Sequence, residues 1–340
     1  MLSIDSITIP LADDLHVHLR EGDLATQITP LVRKGGVGRV MVMPNLKVPI
    51  ITSEMALAYQ KTLQKIDPNV EYLMSLYLTQ SLTPSELILA SSKGVKNVKL
   101  YPAGVTTNSS AGVVSLHQFY PLFEVMQQEN MILNVHGEVQ SNYEKNICIL
   151  NAEQQFLPFL SDIVKNFPRL RIVLEHITTA AAVEEILRLP KNVAATITAH
   201  HLQLCVDDWA GKNHNFCKPV AKFPADTQAL KKAATSGNPQ FFLGSDSAPH
   251  VRATKETSCA CAGVFTAPFL LPYYAKTFDS MGKLDMLKDF SSTFGAQFYA
   301  IKQQTKMITL VRQQNIIPDE IVGIVPFQAG QDIEWQIVEG

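Results

Sequence analysis

Residues 13–20 read Asp13-Asp14-Leu15-His16-Val17-His18-Leu19-Arg20, a short apolar run that ends in two histidines one residue apart. In an extended strand, residues two apart point to the same side, so His16 and His18 present their imidazoles together. Seven further runs of similar length follow: RVMVMP (39–44), EYLMSLYL (71–78), NVKLYP (97–102), MILNVHG (131–137), RIVLEH (171–176), VAATITAH (193–200) and QFFLGSDS (240–247). Runs of about four to eight residues favour strands over helices. Their near-continuous apolarity predicts strands buried on both faces, as in a parallel sheet.

Helical patterns lie between the runs. SEMALAYQKTLQKI (53–66) starts at Ser53, read as a capping residue, and carries an apolar stripe. SELILASSKG (85–94) follows Thr83-Pro84 and ends at a glycine. LHQFYPLFEVMQQEN (116–130), EQQFLPFLSDIVKNF (153–167), TAAAVEEILRL (179–189) and DTQALKKAATSG (226–237) behave alike. Eight strand candidates alternating with helices predict an α/β fold, a (β/α)8 barrel with its active site at the C-terminal ends of the strands. The structural alternative is a doubly wound open sheet. That fold usually carries a glycine-rich phosphate loop after an early strand, whereas Gly35, Gly36 and Gly38 precede the second run. After about residue 250 the rhythm changes to a polar loop and apolar helices, among them SSTFGAQFYAI (291–301). The tail from Ile321 reads as a turn and a short strand packed on the outside of one domain spanning residues 1–340.

Composition narrows the function classes. Of 340 residues, 46% are hydrophobic and 18% charged, which is ample for a large core and excludes a disordered chain. A net charge of −2 offers no basic excess for nucleic acid or for a polybasic membrane anchor. No apolar run reaches the roughly 18 residues needed to span a bilayer. The acidic N-terminus lacks the pattern of a secretory signal. Cys148, Cys205, Cys217, Cys259 and Cys261 are too scattered for a disulfide framework, so the expected location is the reducing cytoplasm. Cys259-Ala-Cys261 lacks a second pair and is a weak metal signal.

Placement carries the chemistry. His16 and His18 end the first run, Lys99 interrupts the fourth, and His136, His176 and Asp246 end the fifth, sixth and eighth. In a (β/α)8 barrel these ends meet at one mouth. Neutral imidazoles suit Zn2+, and Asp246 adds an anionic oxygen. An isolated His-x-His is more often a solvated strand end; the matching histidines on other strands reverse that balance. A lysine inside an apolar strand must be paired, deprotonated or modified, and Lys99 alone would read as snorkelling to the rim. Arg20, two residues past His18, suits the planar fork that clamps a carboxylate. Asn45 ends the second run, and His250 follows Asp246 by four residues. His117 and His214 read as surface residues, and His200 and His201 as structural ones. Ser245 and Ser247 lack the elbow of a serine hydrolase.

The motifs DLHVHLR, VMPN, VKLYPAGVTTNSSAGV, NVHGE, LEHITT, NFCKP and GSDSAPH together resemble dihydroorotase of the amidohydrolase superfamily, in the shorter single-function form of many bacteria and fungi. They run in family order from residue 14 to about residue 263. The resemblance implies two zinc ions per subunit. His16 and His18 would hold one with Asp246, His136 and His176 the other, and a carboxylated Lys99 would bridge them. It implies Arg20, Asn45 and His250 as binders of the substrate carboxylate, and the backbone at Lys218 and Ala262 as contacts to a dihydropyrimidine ring. Thr106 and Thr107 would belong to a loop closing over substrate. Lys218 stands where the family often has leucine, which a backbone contact tolerates. The implied reaction interconverts (S)-dihydroorotate and N-carbamoyl-L-aspartate in pyrimidine biosynthesis, with a metal-bridging hydroxide as nucleophile and Asp246 as base and acid. A homodimer is implied, with a small-molecule substrate, no nucleic acid and no membrane. The competing readings are another cyclic-amide hydrolase, such as a hydantoinase or dihydropyrimidinase, and a catalytically silent scaffold.

Overall fold

Burial on both faces explains why the apolar runs scarcely alternate. The computed structural model describes residues 5–105, 108–109, 112–113 and 115–338. After a leading strand β1 (Ser6–Pro10), the first run forms β2 (Ala12–Val17). Then come β3 (Val37–Val42), β4 (Glu71–Tyr77), β5 (Asn97–Leu100), β6 (Ile132–His136), β7 (Arg171–Glu175), β8 (Val193–Ile197) and β9 (Phe241–Leu243). β2 to β9 pair in parallel, in sequence order, as one eight-stranded sheet. Closure comes at the C-terminal ends. The Asp246 N–H donates to the His16 carbonyl (2.9 Å), and the His18 N–H donates to the Ser247 carbonyl (3.0 Å). The (β/α)8 expectation is borne out.

The core divides accordingly. Inside the barrel, Leu15, Met41, Met43, Ile132, Val173, Ala194 and Phe242 pack with Tyr299. Met41 and Met43 are two apart, as an inward-facing row requires. A larger cluster fills the space between strands and helices. At the other end from the closure, Arg39 on β3 donates twice to the buried Asp13 carboxylate (3.1 and 3.0 Å), to Glu71 on β4 (2.8 Å) and to the Lys302 carbonyl (2.7 Å).

Three local features go beyond or correct the sequence reading. The helix Ser53–Ile66 is capped by Thr52, not Ser53: the Met55 N–H donates to the Thr52 hydroxyl at 3.2 Å. A helix at Gly22–Lys34 carries Pro30 within it, which masked its pattern. The tail strand, β11 (Asp332–Val338), is not alone, because β10 (Met307–Ile316) pairs antiparallel with both β1 and β11 in a second, three-stranded sheet. β10 is half-exposed and interrupted by glutamines, so it lacks the apolar signature of the barrel strands. No helix among the described residues is long and apolar enough to cross a membrane.

Candidate metal centre and active site

The strand ends deliver six side chains to one place. His16 lies in β2 and His18 just beyond it, Lys99 lies in β5, His136 ends β6, His176 follows β7, and Asp246 follows β9. The Nε2 atoms of His16 and His18 lie 3.4 and 3.1 Å from the same Asp246 oxygen, Oδ1. The His176 ring centroid is 4.9 Å from that of His16 and 4.8 Å from that of His136. Lys99 is completely buried among them, its Nζ 4.8 Å from the centre of the Tyr101 ring.

Backbone geometry aims these groups. Arg20, His176 and Asp246 have φ of 58°, 44° and 45°, in the left-handed region that non-glycine residues avoid. Such residues cost about 1–3 kcal/mol each and persist only where their surroundings fix them. The His176 N–H donates to Thr196 Oγ1 (2.7 Å). The loop before Asp246 is pinned by Asp14, which accepts from the Ser245 N–H (2.8 Å) and hydroxyl (2.5 Å).

Carboxylates lie behind two of the imidazoles. Glu175 Oε2 is 3.0 Å from His16 Nδ1, and Glu138 Oε2 is 2.7 Å from His136 Nε2. Glu138 in turn faces the buried Lys222 ammonium at 3.9 Å. Glu153 accepts from the Thr178 N–H and hydroxyl and from the Thr179 hydroxyl, anchoring the segment after His176. The sequence reading missed these three glutamates and Tyr101. A signal was available for two of them: Glu138 is two residues past His136 and Tyr101 two past Lys99, the spacing that puts side chains on the same side of extended chain.

The electrostatics suit cation binding. Burial, reinforced by Lys99, pushes His16 and His176 well below the ordinary histidine range, and burial also lowers His18 and His136. All four are therefore neutral, with lone pairs to offer. Burial raises Asp246, but the His18 hydrogen bond and the electrostatic pull of the His16, His18 and Lys99 side chains outweigh it and hold the carboxyl at about 2. Burial lowers Lys99 to about 8 against the pull of Glu175 and Asp246, so its free amine is accessible near neutrality. The residues fit a bound metal: His16, His18 and Asp246 each offer a ligand atom, all within 4.8 Å of one another. Both His16 nitrogens, His176 Nδ1 and Lys99 Nζ are buried without a directed hydrogen-bond partner among the described residues. Leaving such groups unpaired is costly, and bound cations would satisfy the imidazoles.

The same cavity is lined by Arg20, Asn45, Lys218 and Ala262, with Tyr101 beside the histidines. Arg20 Nε donates to the Pro249 carbonyl (3.0 Å), and its Nη2 is 3.1 Å from His250 Nε2. That nitrogen is also 3.1 Å from the Ala262 carbonyl. Burial, then Arg20 and Lys255, lower His250 to about 3, so the ring is neutral. Thr106 and Thr107 lie outside the described residues.

The remaining histidines stay out of the site. His214 contacts Glu256 (2.9 Å) in a loop, and His117 stacks near Tyr120. His200, His201 and Cys217 form a second buried cluster. There, His201 already contacts Thr198 Oγ1 and the Pro219 carbonyl, both at 2.9 Å. Burial pushes the Cys217 thiol to about 12, so it is a proton donor rather than a thiolate.

The chain is similar to known proteins over nearly its whole length. A probable dihydroorotase of Schizosaccharomyces pombe is 47% identical, with 97% of this chain and 98% of that protein covered. The dihydroorotase of Saccharomyces cerevisiae is 44% identical over 98% of each chain. Its crystal structure in complex with 5-fluoroorotic acid superposes with a TM-score of 0.95, covering 98% of this chain and 99% of that one. An L-hydantoinase of Arthrobacter aurescens shares the fold at a TM-score of 0.84 and 16% identity, covering 97% of this chain and 83% of that one. No family model matches the chain.

Proposed function

The chain belongs to the dihydroorotase family, and from that premise we propose that it interconverts (S)-dihydroorotate and N-carbamoyl-L-aspartate at a pair of zinc ions. The observation that carries this reading is the convergence of His16, His18, His136, His176 and Asp246 on one cavity that also presents Arg20, with Lys99 buried behind Tyr101 of the same lining. His16, His18 and Asp246 would hold one ion, and His136 and His176 the other. Lys99 would bridge them as a carbamate. Its neutral amine forms an N–C bond to carbon dioxide, one C=O electron pair moves to oxygen, and the amine proton leaves to solvent. The anionic product suits a place between two cations. When bound, zinc supplies Lewis acidity toward the amide carbonyl and lowers the pKa of water from about 15.7 towards 7.

The protein's own groups do the rest. Asp246, a carboxylate at neutral pH, accepts the proton of the attacking water and delivers it to the ring nitrogen as the amide bond breaks. For ring closure it takes the proton from the ureido nitrogen. Arg20 offers its fork to the substrate carboxylate, with Asn45 and His250 beside it. His250 Nε2 can accept from Arg20 or donate to Ala262, not both. A carboxylate engaging Arg20 releases the ring nitrogen from that conflict. Backbone groups at Lys218 and Ala262 would meet the dihydropyrimidine ring, and Thr106 and Thr107 the closing loop. The reading extends to a cytoplasmic homodimer with two zinc ions per subunit, which sedimentation and metal analysis check.

Assaying the purified protein with dihydroorotate and with dihydrouracil tests the substrate. Turnover of dihydroorotate alone is expected, because dihydrouracil has no carboxylate for Arg20. Preference for dihydrouracil would instead make the enzyme a dihydropyrimidinase.

A further inference from the structure

Lys255 ends a short helix, Arg252–Lys255, beside the cavity and is only 3% exposed. Its ammonium donates to three main-chain carbonyls: Phe216 (2.9 Å), Cys261 (2.9 Å) and Gly263 (2.8 Å). A lysine ammonium has three N–H donors, so this arrangement uses all of them. Among the described residues the titratable groups that pull on its charge are the Cys217 and Cys261 thiols, not carboxylates. A buried cation without a counter-ion is costly, and burial accordingly lowers this lysine to about 8. A group retained at such cost, outside the metal centre, calls for a purpose.

The three carbonyls supply one. Phe216 lies two residues before Lys218, and Cys261 and Gly263 flank Ala262. The two segments are also joined directly, the Gly263 N–H donating to the Phe216 carbonyl at 2.9 Å. Gly263 also lets its segment pack against Ala248, since a Cβ there would sit 2.3 Å from the Ala248 carbonyl oxygen. Lys218, Ala262 and Gly263 all line the cavity, whereas Lys255 does not.

We propose that Lys255 is a positioning residue for substrate. Its ammonium ties segments 216–218 and 261–263 together, so that the main-chain groups of Lys218 and Ala262 keep a fixed spacing across the pocket. The inference rests on the reading that those groups contact the dihydropyrimidine ring. A ring whose planar imide edge carries N–H and C=O groups is selected by main-chain donors and acceptors at fixed separation. Lys255 itself touches neither substrate nor metal.

Steady-state kinetics with dihydroorotate, zinc content and melting temperature of Lys255→Met and Lys255→Arg test this. For Lys255→Met, KM is expected to rise about tenfold or more while kcat changes by less than about threefold, the signature of lost binding rather than lost chemistry. Zinc stays at the parent level, and Lys255→Arg recovers part of the KM because a guanidinium still donates to several carbonyls. If Lys255→Met does not fold, Lys255→Gln, with two donors, is expected to give an intermediate KM. A folded Met or Gln variant with the parent KM overturns the proposal. So does a variant that loses zinc and kcat together, which would make Lys255 a structural support of the metal centre. A parent protein inert on dihydroorotate is a different result: it overturns the functional reading first, before any substitution is compared.

Discussion

Arg20 occupies a left-handed conformation at the rim of the metal centre, with Nε spent on the Pro249 carbonyl and Nη2 turned toward His250. Replacing it with methionine removes the fork but none of the donors to metal. Arg20→Met is therefore expected to lower kcat/KM for dihydroorotate about a hundredfold, equivalent to roughly 2.7 kcal/mol, with zinc content unchanged. Zinc loss in that variant would show that Arg20 supports the fold instead. His16 makes the opposite case, because it faces Asp246 through one nitrogen and Glu175 through the other. His16→Ala is expected to abolish turnover together with most bound zinc, and an active, zinc-free variant would contradict the mechanism. Both positions were legible in the sequence, since residue type and place at the end of an apolar run identify them. Glu175 was not. It precedes His176 on β7, and only the closed barrel brings it 3.0 Å from a histidine 159 positions earlier in the chain.

At the level of single elements, the join between β2 and the end of β9 decides how accurately Asp246 is aimed. Asp14 makes that join through two hydrogen bonds from Ser245. Asp14→Ala would leave the buried Ser245 N–H unpaired, while the hydroxyl keeps the His16 carbonyl at 3.2 Å; an unsatisfied buried donor costs about 1–3 kcal/mol. Turnover should fall further than that loss of stability suggests, because Asp246 would no longer be held; denaturant unfolding beside kinetics measures the two. Strands and helices themselves were readable. Apolar runs of strand length separated by capped, striped segments leave little choice of architecture. The helix Gly22–Lys34 escaped because Pro30 interrupts its pattern, yet tertiary packing buries Ala25, Ile28 and Val32 and keeps it helical. β10 escaped because the small sheet it centres leaves it half-exposed, so its residues need not be uniformly apolar.

Across the whole molecule, the two ends of the barrel have different duties. The closure end gathers the reactive groups, and the opposite end holds Arg39 on the buried Asp13. Arg39→Met would leave that carboxylate uncompensated, and breaking a buried pair in this way costs about 3–5 kcal/mol. The melting temperature should drop while the folded fraction keeps its zinc and its KM; altered kinetics in the folded enzyme would mean the two ends are coupled. The sequence by itself determined the order of strands, the sites of the metal-capable side chains and the kind of ligand they suit, because strand length, period and residue type are local properties. Tertiary structure alone decided which carboxylate backs which histidine, that Lys255 ties two cavity-lining segments, and that the end of β2, carrying His16, meets the loop after β9, carrying Asp246. Those contacts join residues far apart in the chain, and no local pattern records a distance that only barrel closure creates.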